Sequence, residues 1–109
     1  NMKCLQKVKA ALLTVIDAGK LYHLEALKAE YPYCIWAEDG GGEQLNGDNY
    51  MLHQSVQGTI DYYTRDEYDP VVDAIQSALK AARISFYLNS VQYEDETKAI
   101  HWEWVFEVS

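Results

Sequence analysis

The closing stretch of the chain alternates with a period of two: Ile100, Trp102, Trp104, Phe106 and Val108 fall on one side, His101, Glu103 and Glu107 on the other. Only a strand places every second residue on one face, so five large apolar groups there demand a sheet with one buried side. A second run, Tyr50 to Thr64, repeats the pattern. Leu52, Val56, Ile60 and Tyr62 take even positions, and His53, Ser55, Gln57, Thr59 and Asp61 take odd ones.

Around these strands the remaining elements read in order. Leu5, Val8, Leu12, Val15 and Ile16 recur at helical spacing and predict a helix over Lys3 to Ala18, with Gly19 as its C-terminal cap. Leu21 to Leu27 is expected as a short strand. A second strand is expected from Tyr33 to Glu38, because Tyr31 precedes a proline and the residues that follow favour extended backbone. Asp39 to Asn49, rich in glycine, asparagine and aspartate, predicts an exposed mobile loop. Asp69-Pro70 is an N-cap followed by proline at the first helical position, and Val71, Ile75, Ala78, Leu79 and Ala82 line one face of the helix it opens. Ser85–Tyr93 and Ala99–Val108 are the last two strands, joined by the polar turn Glu94 to Lys98.

The order α-β-β-β-α-β-β predicts an α+β domain: a mostly antiparallel sheet of about five strands with two helices on one face. A chain of 109 residues can bury a core of its own, so residues 1–109 are taken as one domain. Asn1, ahead of Met2, is set aside as a leftover of expression. No apolar run approaches the roughly 20 residues of a membrane span, so a soluble, intracellular protein with no membrane partner is expected. Nine basic residues stand against 17 acidic ones, a net charge of −8, and the basic ones are scattered. That balance argues against nucleic-acid binding, which sets cations against phosphates, and suits docking to a basic protein surface. Cys4 and Cys34 lack the spacing of a metal or redox motif and are expected as small buried hydrophobes.

No catalytic constellation emerges, and neither a cofactor nor a metal is expected. His53 and His101 share the polar phase of their strands and could meet with Asp61 or Glu103, while His23 lies apart; two histidines and a carboxylate can hold zinc or iron, but the close spacings of metal motifs are missing. Glu38-Asp39 and Asp66-Glu67-Asp69 are explained by a loop entry and a helix start. Gly40-Gly41-Gly42 is followed by neither GK[ST] nor a helix, as a phosphate loop would be. Trp36, Trp102 and Trp104 could stack on a sugar or base, but two of them share the apolar face of the last strand and read first as core. Tyr63, Tyr87 and Tyr93 lie on odd positions of their strands. They are either ordinary half-buried sheet residues or a contact surface on the uncovered face.

Three segments carry a resemblance: Tyr31-Pro32-Tyr33-Cys34-Ile35-Trp36-Ala37-Glu38-Asp39-Gly40; Gly58-Thr59-Ile60-Asp61-Tyr62-Tyr63-Thr64 leading to Tyr68-Asp69-Pro70; and Ile100-His101-Trp102-Glu103-Trp104. Together they resemble small tail-component proteins of prophages in Gram-positive bacteria, similar to the tail-terminator and tail-completion proteins of long-tailed phages. The resemblance implies a non-enzymatic structural protein that forms a ring, commonly a hexamer, on the finished tail tube and meets the head connector. It further implies residence in the host bacterial cytoplasm during assembly and then in the virion tail. A ring needs one patch to meet a different patch on its neighbour. The candidate interface is Tyr63, Tyr87 and Tyr93 on the sheet, with Glu38, Asp39, Gly41, Glu43, Asn46 and Asp48 in and beside the loop as a docking arm. Two alternatives are a small metal- or ligand-binding enzyme using His53, His101 and a carboxylate, and an acidic regulatory module that binds a basic protein.

Overall fold

The computed structural model of the chain describes residues 2–41 and 55–109. A 3-10 turn at Met2–Cys4 leads into helix α1 (Leu5–Leu13), and a second 3-10 turn (Ala18–Lys20) leads into strand β1 (Leu21–His23). Strands β2 (Tyr33–Gly41) and β3 (Val56–Thr64), helix α2 (Pro70–Ala81) and strands β4 (Ser85–Glu94) and β5 (Ala99–Val108) follow. The strands form one sheet in the order β1-β2-β3-β5-β4, with β1 parallel to β2 and every other pair antiparallel. This is the expected α+β architecture. Among the described residues no helix is long and apolar enough to cross a membrane.

Period-two burial is clean in β3, where Val56, Gly58, Ile60, Tyr62 and Thr64 are buried and the residues between them are half-buried. Its register carries the pattern sideways: Tyr62 pairs with Cys34 and Trp102, Ile60 with Trp36 and Trp104, and Gly58 with Glu38 and Phe106. The two helices cover this face. Leu5, Val8, Ala11 and Leu12 of α1 and Val72, Ile75 and Leu79 of α2 join Cys34, Trp36, Ile60, Tyr62, Trp104, Phe106 and Val108 in one core. Gly58 is required there, because a Cβ would run into the Ala37 carbonyl oxygen and the Phe106 ring. Both cysteines are buried in this core, as expected.

Asp69 ties the two layers together. Its Oδ1 accepts the Val71 amide at 2.9 Å, capping α2, while its Oδ2 accepts the hydroxyls of Tyr62 at 2.6 Å and Thr64 at 2.7 Å. One carboxylate thus closes the helix start and satisfies two buried hydroxyls of β3.

Several boundaries differ from expectation. The first helix stops at Leu13 rather than Ala18, because Thr14 Oγ1 turns back to donate to the Ala11 carbonyl at 2.6 Å and the β-branched run Thr14-Val15-Ile16 favours helix weakly. Gly19 therefore caps nothing and sits in the following 3-10 turn. Strand β1 ends at His23, where Leu24 takes a positive φ of 78°. β2 runs past Glu38 to Gly41, with a register irregularity between those two residues, so Asp39 to Gly41 belong to a strand and not to the loop. The described part of the third strand starts at Val56; positions 50–54 of the expected strand and 42–49 of the expected loop lie outside the described residues. In α2 the fully packed valine is Val72, with Val71 only partly buried.

Candidate functional site: the open face of the sheet

Residues that alternate with the core make up the sheet's other face, which neither helix covers. Register sets them in rows: Tyr33–Tyr63–His101–Gln92, then Ile35–Asp61–Glu103–Ser90, then Ala37–Thr59–Val105–Tyr87. Directly opposed side chains on one face lie within contact distance, so each row is a continuous stripe. In the first, the Tyr33 and Tyr63 rings stack at 4.7 Å and the Tyr63 and His101 rings at 4.2 Å. Tyr31 adds to it at 5.5 Å from Tyr33, and the Arg65 guanidinium sits 4.5 Å over the Tyr31 ring while its Nε donates to the Thr97 carbonyl at 2.9 Å. Tyr22 meets Tyr33 edge to face at 6.3 Å. The result is an aromatic platform running from the β1 edge to β5.

Charge on this face is mostly negative. His101 Nε2 donates to Asp61 Oδ1 at 2.6 Å; a carboxylate can only accept, so Nε2 carries the proton. Glu103 accepts from Asn89 at 2.9 Å and Ser90 at 3.4 Å, and Glu107 from Ser55 at 2.8 Å. Partial burial, then Asp61 and further anions, pushes the Tyr63 phenol up to about 12. Burial, then Tyr31 and Glu94, raises Tyr33. Both shifts extend the neutral form of Tyr33 and Tyr63 further into the alkaline range.

The sequence candidates separate on this frame. Tyr63 is the centre of the platform, and Tyr87 lies exposed on the same face in the third row, outside the stacked rings. Tyr93 does not join them: a register shift between Leu88 and Ser90 adds a residue to β4, so Tyr93 pairs with Ile100 and points to the helix-covered side. Glu38 binds His23 Nε2 at 2.7 Å, and that hydrogen bond holds its carboxyl below the usual range. Asp39 and Gly41 continue β2, while Glu43, Asn46 and Asp48 lie outside the described residues. His101 does meet Asp61, one of the two carboxylates expected near it, but His53 is outside the described residues and His23 lies at the β1 edge, stacked on Trp36 at 4.0 Å. Among the described residues no group of three or more His, Cys, Asp or Glu is placed to hold a metal ion. Trp36 and Trp104 are core, with Trp104 Nε1 donating to Gln76 Oε1 at 3.0 Å. Desolvation raises the Cys34 thiol far above its ordinary value and leaves it a poor nucleophile.

Sequence reasoning missed Tyr31, Tyr33 and Arg65 as members of the platform. The alternation of Arg65 with Tyr63 and Asp61 was the available signal. A cleft of about 160 Å³ at the end of the helix layer is lined by Val15, Ile16, Asp17, Lys20, Pro32, Tyr33, Tyr62 and Val71, and a wider depression of about 590 Å³ lies among Arg65, Glu67, Val91, Tyr93, Lys98 and Ile100. The open face is broad, and its carboxylates pair with neighbouring side chains. Compared with known protein families and curated proteins, the chain matches no family model and no curated protein.

Proposed function

We propose that the protein is a non-enzymatic assembly subunit of a phage or prophage tail, of the tail-terminator or tail-completion type, which forms a ring on the tail tube. The observation that supports it best is the open sheet face. A rigid aromatic platform loses little side-chain entropy when covered, and the surrounding carboxylates set orientation and select a basic counterpart. The sequence resemblance supplies the biological setting: neighbouring copies, the tube and the head connector as partners, and the bacterial cytoplasm followed by the virion tail as location. Deleting the gene from an inducible lysogen and imaging the particles tests this. Tubes of irregular length without joined heads are the expected result, and normal virions lacking the protein would overturn it.

The carboxylates Asp61, Glu103 and Glu107 on the same face favour, as a second reading, a regulatory module that binds a basic protein. It predicts that lysine-rich peptides bind the purified protein with steep salt dependence and that reversing the charge of Glu103 abolishes this.

A further inference from the structure

The sheet's two edges differ. β1 offers three residues and stops at a positive φ, which blunts it. β4 offers ten, contains no lysine, arginine or proline, and leaves Tyr87, Leu88, Val91 and Tyr93 exposed. A long apolar edge is a template for another strand. We propose that β4 pairs antiparallel with β4 of a second copy about a two-fold axis through the Asn89–Ser90 peptide bond, joining two five-stranded sheets into one of ten. This does not rest on the tail reading; ring contacts, if made, fall to the open face and the helix layer.

The bulge in β4 carries the argument. Before it, Phe86 and Leu88 pair with Phe106 and Trp104 on the helix-covered face; after it, Val91 and Tyr93 pair with Trp102 and Ile100 on that same face. The side-chain phase is therefore mirrored about the centre of the strand. A two-fold axis perpendicular to a sheet keeps each face on its own side. Pairing residues 85–88 of one copy with 91–94 of the other sets Phe86 against Tyr93 and Leu88 against Val91 on the helix side, and Tyr87 against Gln92 on the open side. Without the bulge, residues paired in that register would point to opposite faces of the sheet, and the two-fold pairing could not form.

Charge selects a second copy as the occupant. β4 begins shortly after Arg83, which follows α2, and ends at Glu94, with Asp95 and Glu96 in the turn beyond it. Antiparallel pairing sets Ser85 of one strand against Glu94 of the other, so Arg83, in the turn two residues before Ser85, comes to the acidic end of the partner strand. The contact occurs twice.

Sedimentation equilibrium over a concentration series tests the pairing. The expected mass is twice 12.5 kDa, with hydrogen exchange across 85–94 slowing as the dimer forms. Val91→Lys, beside the axis, is expected to leave a folded monomer by circular dichroism. Arg83→Glu and Glu94→Lys each place like charges together and are expected to weaken the dimer several-fold when pure. An equimolar mixture of the two restores it, because each meets its complement across the axis. Wild type that stays monomeric at several hundred micromolar, a dimer indifferent to Val91→Lys, or single variants whose mixture gains nothing would each overturn the proposal.

Discussion

Replacing Asp69 with alanine should be among the most damaging single changes to a side chain that is not apolar. Three groups lose their acceptor at once: the Val71 amide and the hydroxyls of Tyr62 and Thr64. Loss of an N-cap costs about 1 kcal/mol. Tyr62 and Thr64 are both only 2 % exposed, so neither hydroxyl regains a full hydrogen bond from water, and each orphaned donor to a charged acceptor costs about 1.5 kcal/mol. The sum, about 4 kcal/mol, is a large part of the roughly 5–15 kcal/mol that holds a domain of this size. Urea unfolding followed by tryptophan fluorescence, at one fixed protein concentration, measures it. Asparagine caps nearly as well as aspartate but offers no second anionic oxygen, so Asp69→Asn should cost about half as much. In a Tyr62→Phe background the alanine substitution should cost about 1.5 kcal/mol less, the coupling that a double-mutant cycle isolates. A loss near 1 kcal/mol for alanine, with no coupling to Tyr62, would reduce Asp69 to an ordinary cap and refute its role as the link between layers.

Gly58→Ala should cost about 3 kcal/mol or more, since its Cβ meets a backbone carbonyl that cannot move without parting β2 from β3; thermal unfolding checks this. Gln76→Ala should cost about 2 kcal/mol by stranding the buried Trp104 indole N–H, measured in the same urea assay. Stability should also fall as pH rises through the window from 10.0, the ordinary phenol value, to about 12. There the unfolded chain releases protons that folded Tyr63 still holds; Tyr63→Phe should flatten that slope in denaturation midpoints taken across the window. Neither cysteine should react with a thiol reagent until the protein unfolds, Cys34 least of all, and labelling that runs ahead of unfolding would contradict its burial.

Much of the architecture is legible in residue order because the relevant signals are local. The alternation in β5, the Asp69-Pro70 helix start and the Glu94 to Lys98 turn each depend on neighbours a few residues apart, and each appears where the pattern puts it. The errors fall where two local preferences compete. A helical apolar stripe runs through Val15 and Ile16, yet Thr14 and two β-branched residues end the helix before them. In β4 the period changes phase at a bulge, which no count along the strand reveals, so Tyr93 lies on the opposite face from Tyr87 although both are odd-numbered.

By itself the sequence determined that this chain makes a half-buried antiparallel sheet under amphipathic helices, because burial must follow the period of two or 3.6 that the backbone imposes. Only the tertiary structure decided which strands are neighbours. That choice brings Tyr33, Tyr63 and His101, far apart in the chain, into one stacked row, sets Asp61 beside His101, and leaves β4 at the edge. Strand order depends on how whole faces pack and which loops can close between them, and no local pattern encodes that.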